Sequence, residues 1–147
     1  MRGDIIRCPR YYFEDDGTRT PKFLIVLNEP SDQEPYLLVL TTSQQWKRIS
    51  REGCHPQKGY YVLKRGVDWF DTEWTWIMFN QPDVIEILKS NYQDWMTKNE
   101  AVKMATLSSV NYKKLTDCLQ NSPDVSHFVR GLVKKEQLLS KPQPDLC

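Results

Sequence analysis

Apolar residues come in short, regularly spaced blocks over the first two-thirds of the chain, after which the period becomes helical. Ile5-Ile6 reads as a brief opening strand, and Glu14-Asp15-Asp16-Gly17-Thr18 as an exposed loop. From Phe23 to Leu27 the run is continuously apolar and partly β-branched, as suits a strand covered on both faces. Asn28-Glu29-Pro30-Ser31-Asp32 breaks it. Tyr36 to Leu40 then supplies a second strand, close enough to pair with the first as a hairpin. A basic, polar excursion runs from Gln44 to Lys58. Strands resume at Tyr60 to Leu63, Trp74 to Phe79 and Val84 to Leu88, with Pro82 interrupting the last pair. Short strands at this spacing, in a chain this small, predict a barrel rather than an open sandwich.

Past about residue 90 the pattern changes. Ser108 or Ser109 can cap a short helix carrying Val110, Leu115 and Leu119. Ser122-Pro123-Asp124 reads as a second helix start, with proline at the first helical position. Val125, Phe128, Val129 and Leu132 then share one apolar face, and His127 in that segment reads as structural. Residues 89–106 carry no decisive period. The expected fold is mainly β with C-terminal helices, one domain over residues 1–140, followed by a flexible tail at 141–147 holding two prolines.

A chain of 147 residues can bury one core without covalent staples. With 39% hydrophobic and 27% charged residues it has a globular, not a disordered, composition. Cys8, Cys54, Cys118 and Cys147 lie far apart, a spacing that fits neither a zinc framework nor a compact disulfide scaffold. No leader and no apolar run of membrane-spanning length is visible, so the cytoplasm is the expected compartment, with no membrane partner.

Net charge is +1, so attraction to nucleic acid must come from a local patch. The segment from Gln44 to Gly66 provides one. Lys47, Arg48, Arg51, Lys58, Lys64 and Arg65 face a single acid there, Glu52, while Trp46, Tyr60 and Tyr61 offer rings for unpaired bases. That mixture suits single-stranded RNA better than duplex. His55, in a Gly/Pro-bounded loop, is a candidate general acid. Trp69, Trp74 and Trp76 alternate in part like core residues.

Three segments, in order, resemble the MazF/PemK toxin family. Gly3-Asp4-Ile5-Ile6 looks like the family's opening strand. Pro21-Lys22-Phe23-Leu24-Ile25-Val26-Leu27-Asn28 is similar to its Arg-Pro-x-Val-Val-Leu-Ser strand, with Lys22 at the arginine position. Leu38-Val39-Leu40-Thr41-Thr42-Ser43-Gln44 is similar to the strand that ends in paired hydroxyl residues. Phe79-Asn80-Gln81-Pro82-Asp83-Val84-Ile85 is a weaker echo of the Kid/PemK branch. Pro21-Lys22, then Leu40-Thr41-Thr42 and Trp46, also resemble the ToxN-like ribonucleases.

The resemblance implies an SH3-like, CcdB/PemK-type small β-barrel and a metal-independent endoribonuclease without cofactor. It also implies a homodimer and a cognate antitoxin, protein or RNA. RNA is cut without metal when its own 2′-OH attacks the adjacent phosphate, leaving a 2′,3′-cyclic end. By the resemblance Lys22 stabilises the transition state and Thr41 donates to a non-bridging oxygen, with Thr42 and Ser43 beside them. Lysine is a point charge and cannot clamp phosphate bidentately, so Arg19 is a candidate to supply the fork. Substrate contacts fall to Arg19, Trp46, Lys47, Arg48, Arg51, His55 and Lys58. Met78 and Asn80 stand where the Kid-like branch has an arginine and an aspartate, which disfavours that branch's acid–base chemistry. The alternatives are a non-enzymatic SH3-like binding module and a catalytically degenerate homologue. A CcdB-like gyrase poison would need a Trp-Gly-Ile ending, whereas this chain ends Asp145-Leu146-Cys147.

Overall fold

A computed structural model describes residues 1–12, 17–80 and 84–139. Its strands are β1 (Asp4–Tyr12), β2 (Arg19–Val26), β3 (Tyr36–Thr42), β4 (Gly53–His55), β5 (Tyr60–Lys64), β6 (Trp74–Met78), β7 (Val84–Ile87) and β8 (Val102–Thr106). Helix α1 (Lys89–Thr97) precedes β8, and α2 (Ser109–Gln120) and α3 (His127–Leu139) follow it. The expected hairpin is present as β2–β3, with Leu24 opposite Leu40 and Val26 opposite Leu38. Most of the expected loop from Glu14 to Thr18, Pro82 and the expected tail at 141–147 lie outside the described residues.

The strands form one antiparallel sheet in the order β4-β5-β6-β3-β2-β1-β8. Strand β3 is its hub: on one side it pairs with β2, and on the other it is shared end to end. Tyr36 to Val39 pair with β7, and Leu40 to Thr42 pair with β6. The sheet does not close, which corrects the expectation of a closed barrel. Strand β8 sits on the free side of β1, β4 lies outside β5, and no ladder joins the two edges among the described residues. Helices cover the sheet instead, α2 and α3 on one face and α1 on the other.

The pleat explains the unbroken apolar runs. Alternate side chains of a strand point to opposite faces. Ile25, Leu27, Leu37, Val39 and Ile77 point to one face and pack under Leu115 and Leu119 of α2 and Val129 and Val133 of α3. Leu24, Val26, Leu38 and Leu40 point to the other and pack with Tyr92 of α1 and Ala101. Both positions of each pair are therefore apolar, as the sequence of β2 and β3 predicts. Truncating Leu37 or Leu115, each fully buried, to alanine should cost about 2–5 kcal/mol.

Ser108 caps α2, accepting from the Asn111 N–H at 3.2 Å, and is itself held by the Asp68 carboxylate (2.8 Å from its N–H, 3.0 Å from its hydroxyl). The second helix begins later than expected. Ser122 does not cap it; its hydroxyl instead donates to the Cys118 carbonyl at 3.1 Å, and Ser126 accepts from the Val129 N–H at 3.2 Å. Starting at His127 turns the face by a few residues, so Phe128 and His127 are exposed while Val133 joins Val129 and Leu132 in the core. The segment without a decisive period, 89–106, holds α1 and β8.

Cys54 of β4 and Cys118 of α2 are joined in a disulfide with Cα atoms 5.5 Å apart, a pairing the sequence reading did not anticipate. It fastens the outermost strand of the sheet to the helix that covers it. No helix among the described residues is long and apolar enough to cross a membrane.

Candidate nucleic-acid interface

The site takes shape where β2 and β3 part. Toward this end their ladder stops at Leu24 and Leu40. On the other side of β2, the pairing with β1 slips between Cys8 and Tyr11, where Pro9 stands, across from Pro21. Proline has no N–H to give to a ladder, so the irregularity follows from the sequence. Just past the last paired residues the Thr41 hydroxyl donates to the Phe23 carbonyl at 2.9 Å and ties the strands together.

Two clefts meet at this rim, one on each face of the sheet. The first, about 340 Å³, is floored by Lys22, Leu40, Thr42 and Met78, on the face that carries α1. Gln44, Trp46 and Arg48 close it from above. The second, about 330 Å³, lies on the face of Phe23 and Thr41 and is walled by Trp69, Phe70, Asp71 and Thr72. Lys22, Thr41 and Thr42 border both. Ser43 reaches only the second.

The segment roofing the first cleft is a tight turn. The Arg48 N–H donates to the Gln45 carbonyl at 2.7 Å and its guanidinium to the Gln44 carbonyl at 2.8 Å. Lys47 takes a positive φ of 63° and lies over the Trp46 ring, 6.0 Å from its centroid. Trp46 is 76% exposed, more than any other large apolar side chain described. The turn is anchored one residue on. The Ile49 N–H donates to the Tyr60 hydroxyl and the Ile49 carbonyl accepts from the Trp76 indole N–H, each at 2.9 Å. Buried tyrosine and tryptophan rings present one polar handle apiece, and here both handles grip the same residue. Tyr60 and Tyr61 are buried, so neither offers a face to a base as expected. Trp76 is core, in line with its alternation, while Trp69 stands at the surface.

The remaining sequence candidates lie elsewhere. His55 is buried, and its Nε2–H donates to the Arg51 carbonyl at 2.8 Å, so its ring braces the segment that enters β4. Arg51, before β4, and Lys58, between β4 and β5, are exposed and line neither cleft. Arg19 donates to the Arg10 carbonyl at 3.2 Å and lies over the Tyr12 ring at 5.1 Å. It borders a different, larger cavity of about 810 Å³ that also contains Cys8 and Trp95. Burial pushes the Cys8 thiol up, away from the thiolate form a nucleophile needs. Asn80 is packed against Gly59, where a Cβ would come within 2.5 Å of the Asn80 side chain. Gly59 also has φ +76°, so that position requires glycine on both counts.

The rim therefore gathers Lys22, Thr41, Thr42, Trp46 and Arg48 in one cleft and Ser43 in the adjoining one. It leaves out Arg19, Arg51, His55 and Lys58, while Lys47 contributes through Trp46. Phe23, Trp69 and Asp71 were not singled out from the sequence. No spacing in the sequence signals Trp69, which reads there with Trp74 and Trp76 as partly core. Chemically, the first cleft offers two cations, the threonines Thr18, Thr20, Thr41 and Thr42 and an aromatic face, with no carboxylate lining it among the described residues. Comparison of the chain with protein-family models, with curated proteins and with solved structures found no match.

Proposed function

We propose that the chain is a metal-independent endoribonuclease of the MazF/PemK kind, the toxin of a toxin–antitoxin system, acting on single-stranded RNA. The observation that carries this reading is the convergence of Lys22 and Thr42 with Arg48 and the exposed Trp46 around one cleft. A phosphate seated there meets a lysine point charge and an arginine fork, which complement each other where lysine alone would not clamp. Trp46 gives an adjoining base a face to stack on. The attacking 2′-oxygen forms a bond to phosphorus as the bond to the 5′-oxygen breaks. The 2′-OH gives its proton to water, the Lys22 ammonium gives one to the leaving 5′-oxygen, and the Thr42 hydroxyl donates to a non-bridging oxygen as charge grows there. Thr41, whose hydroxyl is engaged by Phe23, positions this pair of strands.

On this reading the open sheet is a variant of the SH3-like, CcdB/PemK-type barrel, the protein acts as a homodimer, and an antitoxin restrains it. Its substrate places it in the cytoplasm, where the Cys54–Cys118 pair would meet a reducing pool. Neither cysteine borders the rim, so the cleft does not need the bond. Among the described residues the lining of the first cleft has no His, Asp or Glu, and that observation favours a second reading, a binding module that holds RNA without cutting it.

The test is incubation of purified protein with single-stranded RNA in EDTA. Products with 2′,3′-cyclic phosphate ends support the nuclease, and cleavage only on adding magnesium overturns it. Binding without cleavage selects the second reading, and neither binding nor cleavage discards both.

A further inference from the structure

Resting on the reading of the rim as an RNA site, we infer that the second cleft is a nucleobase pocket. In this arrangement the chain holds two successive nucleotides astride the sheet rim, one base against Trp46 and the next against Trp69. The argument starts from the shared border. Lys22, Thr41 and Thr42 belong to both clefts, and the clefts open on opposite faces of the same sheet. A phosphate at Lys22 therefore has a cavity on either side of it, each of a size that accepts one planar base.

Each cavity also has its own ring. Trp46 roofs the first, and Trp69, 37% exposed, walls the second. Trp69 is set by its neighbours: Phe23 meets it edge-on with centroids 5.0 Å apart, and Phe70 does the same at 5.5 Å. These contacts steady the indole, and the part of it that remains exposed is the surface on which a base could stack. The polar groups differ between the cavities. Asp71, Thr72 and Ser43 border the second. A carboxylate only accepts, so this pocket suits a base that presents amino hydrogens, whereas the first, with Arg48 and Lys22, leans on the backbone. Splaying two neighbouring bases to opposite sides of the rim also stretches the sugar–phosphate link between them. That favours the in-line approach of the 2′-oxygen to phosphorus which cleavage requires. A second strand paired to these bases would collide with the sheet, so the selection is for unpaired RNA.

The experiment uses 2′-O-methylated hexanucleotides, which cannot be cut, each with one base removed in turn. Affinity is measured for the parent chain, Trp46→Leu and Trp69→Leu, beside thermal melts. The parent should show two adjacent positions at which removing the base weakens binding roughly 5- to 150-fold. One position should fall silent in Trp69→Leu and its neighbour in Trp46→Leu, as a coupled pair requires. Thr72→Trp, which fills the second cleft from its border without removing a core ring, should silence the Trp69 position too and keeps the test open if Trp69→Leu unfolds. A parent that binds and cuts RNA, with an abasic profile unchanged in folded Trp69→Leu or Thr72→Trp, overturns this inference and leaves the nuclease reading standing. A parent that neither binds the hexanucleotides nor cuts unmodified RNA overturns both.

Discussion

The Thr41 hydroxyl donates to the Phe23 carbonyl across the opening between β3 and β2, at 2.9 Å, from a side chain that is almost wholly buried. Its neighbour Thr42 is less buried, and the Gln44 N–H donates to its hydroxyl at 3.2 Å. The two threonines therefore separate structure from chemistry. Thr41→Val keeps the β-branched shape but leaves a carbonyl short of a partner, a loss of about 1–3 kcal/mol. In a chain of this size that lowers the melting temperature by several degrees. Thr42→Val should leave the melt near the parent and reduce RNA cleavage by on the order of 100- to 1000-fold. Paired melts and initial rates test this, and a reversed pattern would move the hydroxyl role back to Thr41.

Arg48 borders the first cleft, whereas Arg51 does not. Counterion release then distinguishes two arginines three residues apart. Arg48→Ala should lower the slope of log affinity against log salt by about 0.7 for single-stranded RNA, while Arg51→Ala leaves it near the parent value. Titrations at four or five salt concentrations measure both slopes. Equal slopes would show that the excursion acts as a diffuse basic surface.

The β2–β3 hairpin was legible because residues 23–27 and 36–40 are apolar at every position, and only a strand covered on both faces explains that. Helix α2 was legible through its serine cap. Strand β8 was not: Val102, Lys103 and Met104 are all exposed, so an edge strand pinned only to β1 shows no alternation to read. Helix α1 was hidden for a similar reason, having just one fully covered side chain, Tyr92. At the site, Lys22 and Thr42 could be singled out through the family resemblance of their strands, not through periodicity or spacing. Trp69 could not, since its partners Phe23 and Phe70 are distant or non-periodic neighbours, and ring contacts across a fold leave no spacing in the sequence. The placement of His55 away from both clefts is likewise tertiary, as its ring turns inward to the Arg51 carbonyl.

Cys54→Ser tests the disulfide. The bond closes a separation of 64 residues, for which chain entropy gives about 4 kcal/mol of stabilisation. The oxidised parent should therefore unfold at higher denaturant than Cys54→Ser, and adding reductant should shift the parent alone. Peptide mapping without reductant should recover the fragments around Cys54 and Cys118 still joined. Matching denaturation curves under oxidising conditions would count against the bond.

Four tyrosines resist ionisation. Burial pushes Tyr92 up to about 12 and also raises Tyr112, Tyr36 and Tyr61. Tyr112 is further held by donating its hydroxyl proton to the Leu27 carbonyl at 2.6 Å. The unfolded chain ionises these phenols near pH 10, before the folded chain does. Their contribution is thus fully present below pH 10 and is lost as pH climbs toward and past 12. Unfolding free energies measured from pH 9 to 12 should decline. Tyr112→Phe, lower in stability at neutral pH, should decline less steeply, and equal declines would show that Tyr112 takes no part.

The pairing of Asp4 with Thr106 has a consequence for the order of assembly. During synthesis the second edge of β1, the one that β2 leaves open, waits for a strand made about a hundred residues later, and so long a closure is slow. The two strands that frame the rim are separated by a short connection and can meet early. Half-made chains would then carry the parts of the cleft before they carry the edge that completes the sheet.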